Sequence, residues 1–186
     1  MFIIRRKTPG IKEIKRIVLA TDKKPQDLRK MLSRLDREER WELVKTAIPE
    51  LDKSKARDMV RFLFSDEMDY IKQKLHSEED RLLAIECLSY LPAKETVRIL
   101  VDLLRHKDGN VQLCAAGALK QHTPRLVVPC LVKAMLHEAV LPARAGDVLL
   151  AMGYLAQDSI LSVYSLALPA VKVAFLELMI QAKNRK

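Results

Sequence analysis

Few side chains in this 186-residue sequence are of a type that does chemistry, and their spacing argues against most of it. The three cysteines, Cys87, Cys114 and Cys130, lie far apart, with no Cys-x-x-Cys pair and no histidine alongside, so the ligand set of tetrahedral zinc is not assembled. Cys87 and Cys114 fall on what reads as a packed helix face. Buried free thiols are expected there, which suits a reducing, cytoplasmic setting. His76, His106 and His122 stand at the ends of helical patterns, where a cation would face the terminal carbonyls. His137 precedes Glu138 in a single His-Glu pair that reads as a solvated helix terminus. No Ser/His/Asp arrangement, glycine-rich phosphate loop or acidic metal cluster stands out. The sequence predicts no enzyme, with no catalytic residue, no metal ligand and no cofactor.

The elements that position these residues are helical. Apolar residues make up 49% and charged ones 31%, aromatics are scarce at 5%, and five glycines leave little room for sheet. Ser77–Leu104 and Asp108–Met135 repeat one pattern at a spacing of 31 residues. Ala84 falls on Ala115, Cys87 on Ala118, Leu88 on Leu119, Val97 on Val128, Leu100 on Leu131, Val101 on Val132 and Leu104 on Met135. Each copy reads as two amphipathic helices, with small residues where the first must approach its neighbours and aliphatics at i, i+3, i+4, i+7 on the second. Neither copy can bury its apolar face alone, so the copies must stack. Two residues are inserted before the next copy, which places Val148, Ala151 and Met152 in the slots of Ala115, Ala118 and Leu119. Gln157–Leu168 supplies its second helix, and Pro169 restarts the first-helix pattern. The apolar tract Ser162–Ile180 is interrupted by Pro169, Lys172 and Glu177, so it is expected as two helices and not as a membrane span. Phe2-Ile3-Ile4 is too short for the apolar region of a secretory signal.

Ahead of the repeats, Thr8-Pro9 is expected to open a first helix on Ile11, Ile14, Ile17 and Val18. A second spans about Pro25–Leu35. Asp36 and Glu39 are spaced as a capping box for a third, which buries Trp41 at a core position. A fourth runs over Ser54–Phe64, and Ser65 is expected to cap a fifth. The domain division that follows is a basic N-terminal helical segment with degenerate repeats, residues 1–76, and the clear repeats, residues 77–186.

Over residues 77–183 the repeats resemble the HEAT-like repeat of the phycobilisome-lyase type. Asp108, Val111, Ala115, Ala118, Leu119, Val128, Pro129 and Leu131 carry the likeness, with Arg81, Ala84 and Leu88 on one side and Pro142, Ala151, Met152 and Gly153 on the other. Gln112 and Ala145 stand where the family often has Arg, and Arg144 stands in a slot usually Val. The resemblance implies an all-α fold, an α-α superhelix in the form of a short right-handed HEAT-like solenoid of about ten or eleven helices. Residues 25–64 are also faintly similar to the helical cytoplasmic domain of magnesium transporters. Some relatives of HEAT-like architecture are enzymes. Deoxyhypusine hydroxylases hold di-iron with several His-Glu pairs where this chain has one, and alkylpurine DNA glycosylases use a Trp where this chain has only Trp41.

The expected function is a non-catalytic scaffold for protein–protein interaction. In HEAT-like proteins the second helices line the curved face, which here presents Lys94, Arg98, Asp102, Arg105, Arg125 and Lys133, a mildly basic row fit for an acidic protein segment. A second expected surface is the C-terminal hairpin, apolar nearly all round, where Phe175, Leu176, Met179 and Ile180 would associate with a partner or as a homodimer. The alternative rests on charge. Of the net +9, residues 1–30 contribute ten Lys/Arg against three acids. Arg5, Arg6, Lys7, Lys12, Lys15, Arg16, Lys23 and Lys24 would bind nucleic acid or anionic lipid.

Overall fold

Three aspartates start helices in the same way. Asp36 accepts from the Glu39 backbone N–H at 2.8 Å while the Glu39 carboxylate accepts from the Asp36 N–H at 3.0 Å, the capping box expected there. Asp52 accepts from the N–H groups of Ser54 and Lys55, both at 2.9 Å, and Asp108 from that of Asn110 at 2.8 Å. Each satisfies donors that the first turn leaves without an intrahelical partner. Ser65, expected to begin a helix, instead ends one, its N–H donating to the Arg61 carbonyl at 3.2 Å.

The computed structural model describes residues 10–20, 28–137 and 142–184. Among them every regular element is helical, and there are twelve α-helices where ten or eleven were expected. The chain divides into two compact units, Met1–Tyr70 and Ile71–Lys186. The first contains α1 (Ile11–Ala20), α2 (Arg29–Leu32), α3 (Arg37–Ala47), a 3₁₀ turn at Ile48–Glu50 and α4 (Lys53–Phe64). The division falls within α5 (Met68–His76). In the first unit α3 packs on both α1 and α4. Trp41 is fully buried there, meeting Phe64 and Tyr70 edge-on at centroid separations of 6.0 and 6.1 Å.

The second unit continues with α6 (Arg81–Tyr90), α7 (Lys94–Leu103), α8 (Gly109–Leu119), α9 (Pro124–Leu136), α10 (Pro142–Ala151), α11 (Tyr154–Val163), a 3₁₀ turn at Tyr164–Leu166 and α12 (Pro169–Asn184). Each helix packs on the next but one: α6 on α8, α8 on α10 and α10 on α12 form one layer, and α7 on α9 and α9 on α11 the other. This is the stacking of an all-α solenoid. Ala84, Cys87, Leu88, Ala115, Ala118, Leu119, Val97, Val128, Leu100 and Leu131, the paired slots of the repeat, are all buried. Ala151 departs from the third copy's expected register. It is exposed, because α10 ends there and Gly153, at φ +68°, turns the chain directly into α11. Gly146 sits close to α12: a Cβ there would lie 2.7 Å from Leu178 Cδ2, so a larger residue would have to displace the end of that side chain.

The linkers between hairpins repeat as faithfully as the core. Arg81 Nε donates to the Leu75 carbonyl at 2.8 Å, and 31 residues on, Gln112 Nε2 donates to the His106 carbonyl at 2.7 Å. Gln112 therefore satisfies the same carbonyl that an Arg satisfies in the preceding copy. The register also exposes one misfit. Thr96 is fully buried and its hydroxyl has no partner, while the equivalent slot one copy later holds Val127, equally buried. A buried hydroxyl without a hydrogen bond is costly. Thr96→Val should stabilise the fold by about 1 kcal/mol and Val127→Thr should destabilise it by about 1–3 kcal/mol, both read as midpoint shifts in urea unfolding; equal effects for the two substitutions would break the equivalence.

Candidate functional surface

The reactive side chains do not converge. Cys87 is buried on α6, and burial with the adjacent Glu86 charge pushes its thiol far up from the ordinary value, so it is inert. Cys130 is half-buried. Cys114, expected in the packed face, is exposed instead, because on α8 it is Val111, Ala115, Ala118 and Leu119 that turn inward. A thiol-reactive probe should label one cysteine rapidly in the native protein, Cys114, with Cys87 protected until denaturant is added. Rapid labelling of Cys114→Ser at two further thiols would contradict that burial order.

His122 is also placed differently from expectation. It is buried at 6% exposure just beyond α8, its ring bonded to the Leu88 carbonyl of α6 and its Nε2 without a partner. The aligned residue one copy earlier, Leu91, is buried as well. His122 therefore fills an apolar slot as a neutral ring and is not a cation facing a helix end. Desolvation lowers its pKa below the ordinary value. Its stabilising contribution is complete above the unfolded-state pKa, near 6.5, and is lost as pH falls through the folded-state value. The fall in urea midpoint between neutral and mildly acidic pH should be smaller in His122→Gln than in the wild type; equal falls would show that this ring does not titrate in the transition.

His106 Nδ1 accepts from the Asp108 N–H at 3.0 Å, and His76 and His137 are exposed or half-exposed termini; Glu138 lies outside the described residues. Among the described residues no three His, Cys, Asp or Glu side chains lie close enough to hold a metal ion, and no helix is long and apolar enough to cross a membrane. Trp41, locked between Phe64 and Tyr70, has no face open to a base.

What remains is surface. Lys94, Arg98 and Asp102 project from α7 at i, i+4, i+8, with Arg105 just beyond its end; Arg125, Pro129 and Lys133 project at the same three places on α9. All are exposed, and none of the five cations has an ion-pair partner among the described residues. The α9 helix begins at Pro124, so Pro129 lies inside it and cannot donate to the Arg125 carbonyl.

Of the basic N-terminal set, Lys12 and Arg16 are exposed on α1, whereas Lys15 is bound to Glu50 at 2.6 Å. They border a groove with Ile11, Leu19, Glu42 and Thr46. Arg5, Arg6, Lys7, Lys23 and Lys24 lie outside the described residues.

At the C-terminal hairpin the expected set divides. Phe175, expected on an association surface, is fully buried and belongs to the core, alongside Val171, Ala174 and Leu178 on the inward side of α12. Met179 is half-buried and lines a crevice against α10 and α11 with Leu149, Ala156 and Ile160. Leu176 and Ile180 are exposed at 46% and 61%, and Val173, absent from the expected set, joins them at 56%. Sequence reasoning also passed over Leu82 and Leu113, equivalent positions on α6 and α8 that are both exposed. Their shared 31-residue register was the available signal.

Residues 68–149, from the start of α5 into α10, match the family of HEAT repeats. No curated protein and no solved structure matches the chain. The stacked hairpins over that stretch are HEAT repeats.

Proposed function

We propose that this HEAT-repeat chain is a non-catalytic protein-interaction scaffold whose second helices hold an acidic segment of a protein partner. HEAT repeats commonly serve as interaction scaffolds, and stacked repeats present extended surface. The observation that carries the reading is the row Lys94, Arg98, Arg105, Arg125 and Lys133, exposed on two adjacent second helices and without counter-ions among the described residues. Long cationic side chains held by packed helices, with Asp102 the only acid among them, suit a chain of carboxylates more than a compact anion. Attachment to nucleic acid or anionic lipid through residues 1–24 is the competing reading. Within the described part of that segment Lys15 is already neutralised by Glu50, which leaves Lys12 and Arg16.

Fluorescence anisotropy with an Asp/Glu-rich peptide tests it, with duplex DNA and anionic vesicles as the other arms. The peptide should bind, weaken as salt rises from about 0.05 to 0.3 M, and lose on the order of tenfold or more when Lys94, Arg98, Arg125 and Lys133 are all changed to Glu. These positions are exposed, so the melting temperature of that variant should stay close to wild type. Peptide binding that survives the four reversals, or DNA binding that survives them and disappears on removing residues 1–24, would move the function off the second helices.

A further inference from the structure

The outward side of α12 has the spacing of a helix seam. Val173, Leu176 and Ile180 follow one another at three and four residues and lie together on the side opposite the buried Val171, Ala174, Phe175 and Leu178. In heptad terms Val173 and Ile180 occupy a positions and Leu176 the d position between them, the β-branched and Leu arrangement that favours two parallel helices. The flanking positions are charged in a complementary way. Lys172 stands at g and Glu177 at the following e, five residues apart. In a parallel pair, g of one helix faces that e of the other, so Lys172 of each chain meets Glu177 of its mate, twice by symmetry. An antiparallel pair would instead bring e against e and g against g, and the opposite charges would not meet. Glu177 is exposed. Lys172 is half-buried, its ammonium 5.7 Å from the Tyr164 ring centroid at the rim of the seam. Lys183, exposed at the next d position, would face its own copy and ends the apolar seam at Ile180.

We infer that the outer face of α12 binds a second copy of this chain, with the two α12 helices parallel about a two-fold axis and Lys172–Glu177 pairs on both sides of a Val173–Leu176–Ile180 seam. The seam covers only two turns, so it is too short for an independent coiled coil and works only on a helix already held by its own domain. Leu166 and Leu168, just before α12, are also exposed, at 78% and 52%. The inference is independent of the basic row on α7 and α9.

Sedimentation equilibrium of the full chain at tens of micromolar tests it. The wild type should show twice the 21.3 kDa chain mass. Leu176→Glu with Ile180→Glu should be monomeric with an unchanged helical circular dichroism spectrum. Lys172→Glu and Glu177→Lys should each weaken the dimer, and mixing the two variants should restore a heterodimer, because both cross-chain pairs are then attractive. That rescue does not depend on any variant's stability. A monomeric wild type would overturn the inference, whether the face stays bare or another segment of the chain covers it. A dimer indifferent to both charge changes would overturn the parallel α12 seam.

Discussion

Everything in the repeat unit depends on how closely successive first helices can approach. Ala84 and Cys87 on α6, Ala115, Ala116 and Ala118 on α8, Ala145 and Gly146 on α10, and Ala174 on α12 are the small residues buried in that layer. Close approach brings the large aliphatics of the second helices into one continuous core and fixes where the turns lie. At Gly146 the end of the Leu178 side chain occupies the space a Cβ would need. Dense interiors of this kind do not absorb an added methylene without displacement.

First helices pack on first helices and second on second, and on α7 and α9 one side of the helix is left free. That division separates packed slots from free surface along the chain. The positions that repeat as apolar are slots of the stack, and the positions between them on α7 and α9 repeat as exposed, with a cation kept at Lys94 and Arg125 while Arg98 gives way to Pro129 and Asp102 to Lys133. The same division holds for the linkers, where Arg81 and Gln112 perform one task with different side chains. What the register preserves there is a donor of sufficient reach, and a charge is not required.

The buried polar groups mark where the repeat is imperfect. Thr96 and His122 occupy slots that neighbouring copies give to Val127 and Leu91. Thr96 leaves its hydroxyl and His122 its Nε2 without a hydrogen bond, so each is a local weakness in the stack.

The helices of the two clear repeats, the capping box at Asp36, the 31-residue equivalences and the exposed row on α7 and α9 were determined by the sequence alone, because all of them follow from local periodicity and hydrogen bonding within one turn, whereas the helix expected over Pro25–Leu35 is only Arg29–Leu32 and that expected over Gln157–Leu168 is Tyr154–Val163. Tertiary structure decided the rest. α12 is apolar on two opposite sides, so periodicity could not say which would face α10; packing on α10 buried Phe175 and Leu178, the latter against Gly146, and left Val173, Leu176 and Ile180 out. His122 and Cys114 were misplaced by sequence reasoning for a related reason. A residue near a helix end or beside a stripe is buried only if a neighbouring helix reaches it. Leu88 on α6 reaches His122, whereas the inward turn of α8 leaves Cys114 to solvent. Lys15 was counted as a free cation until the fold set Glu50, 35 residues away, against it. Separations of that kind are set by how helices pack, and no window of local sequence contains them.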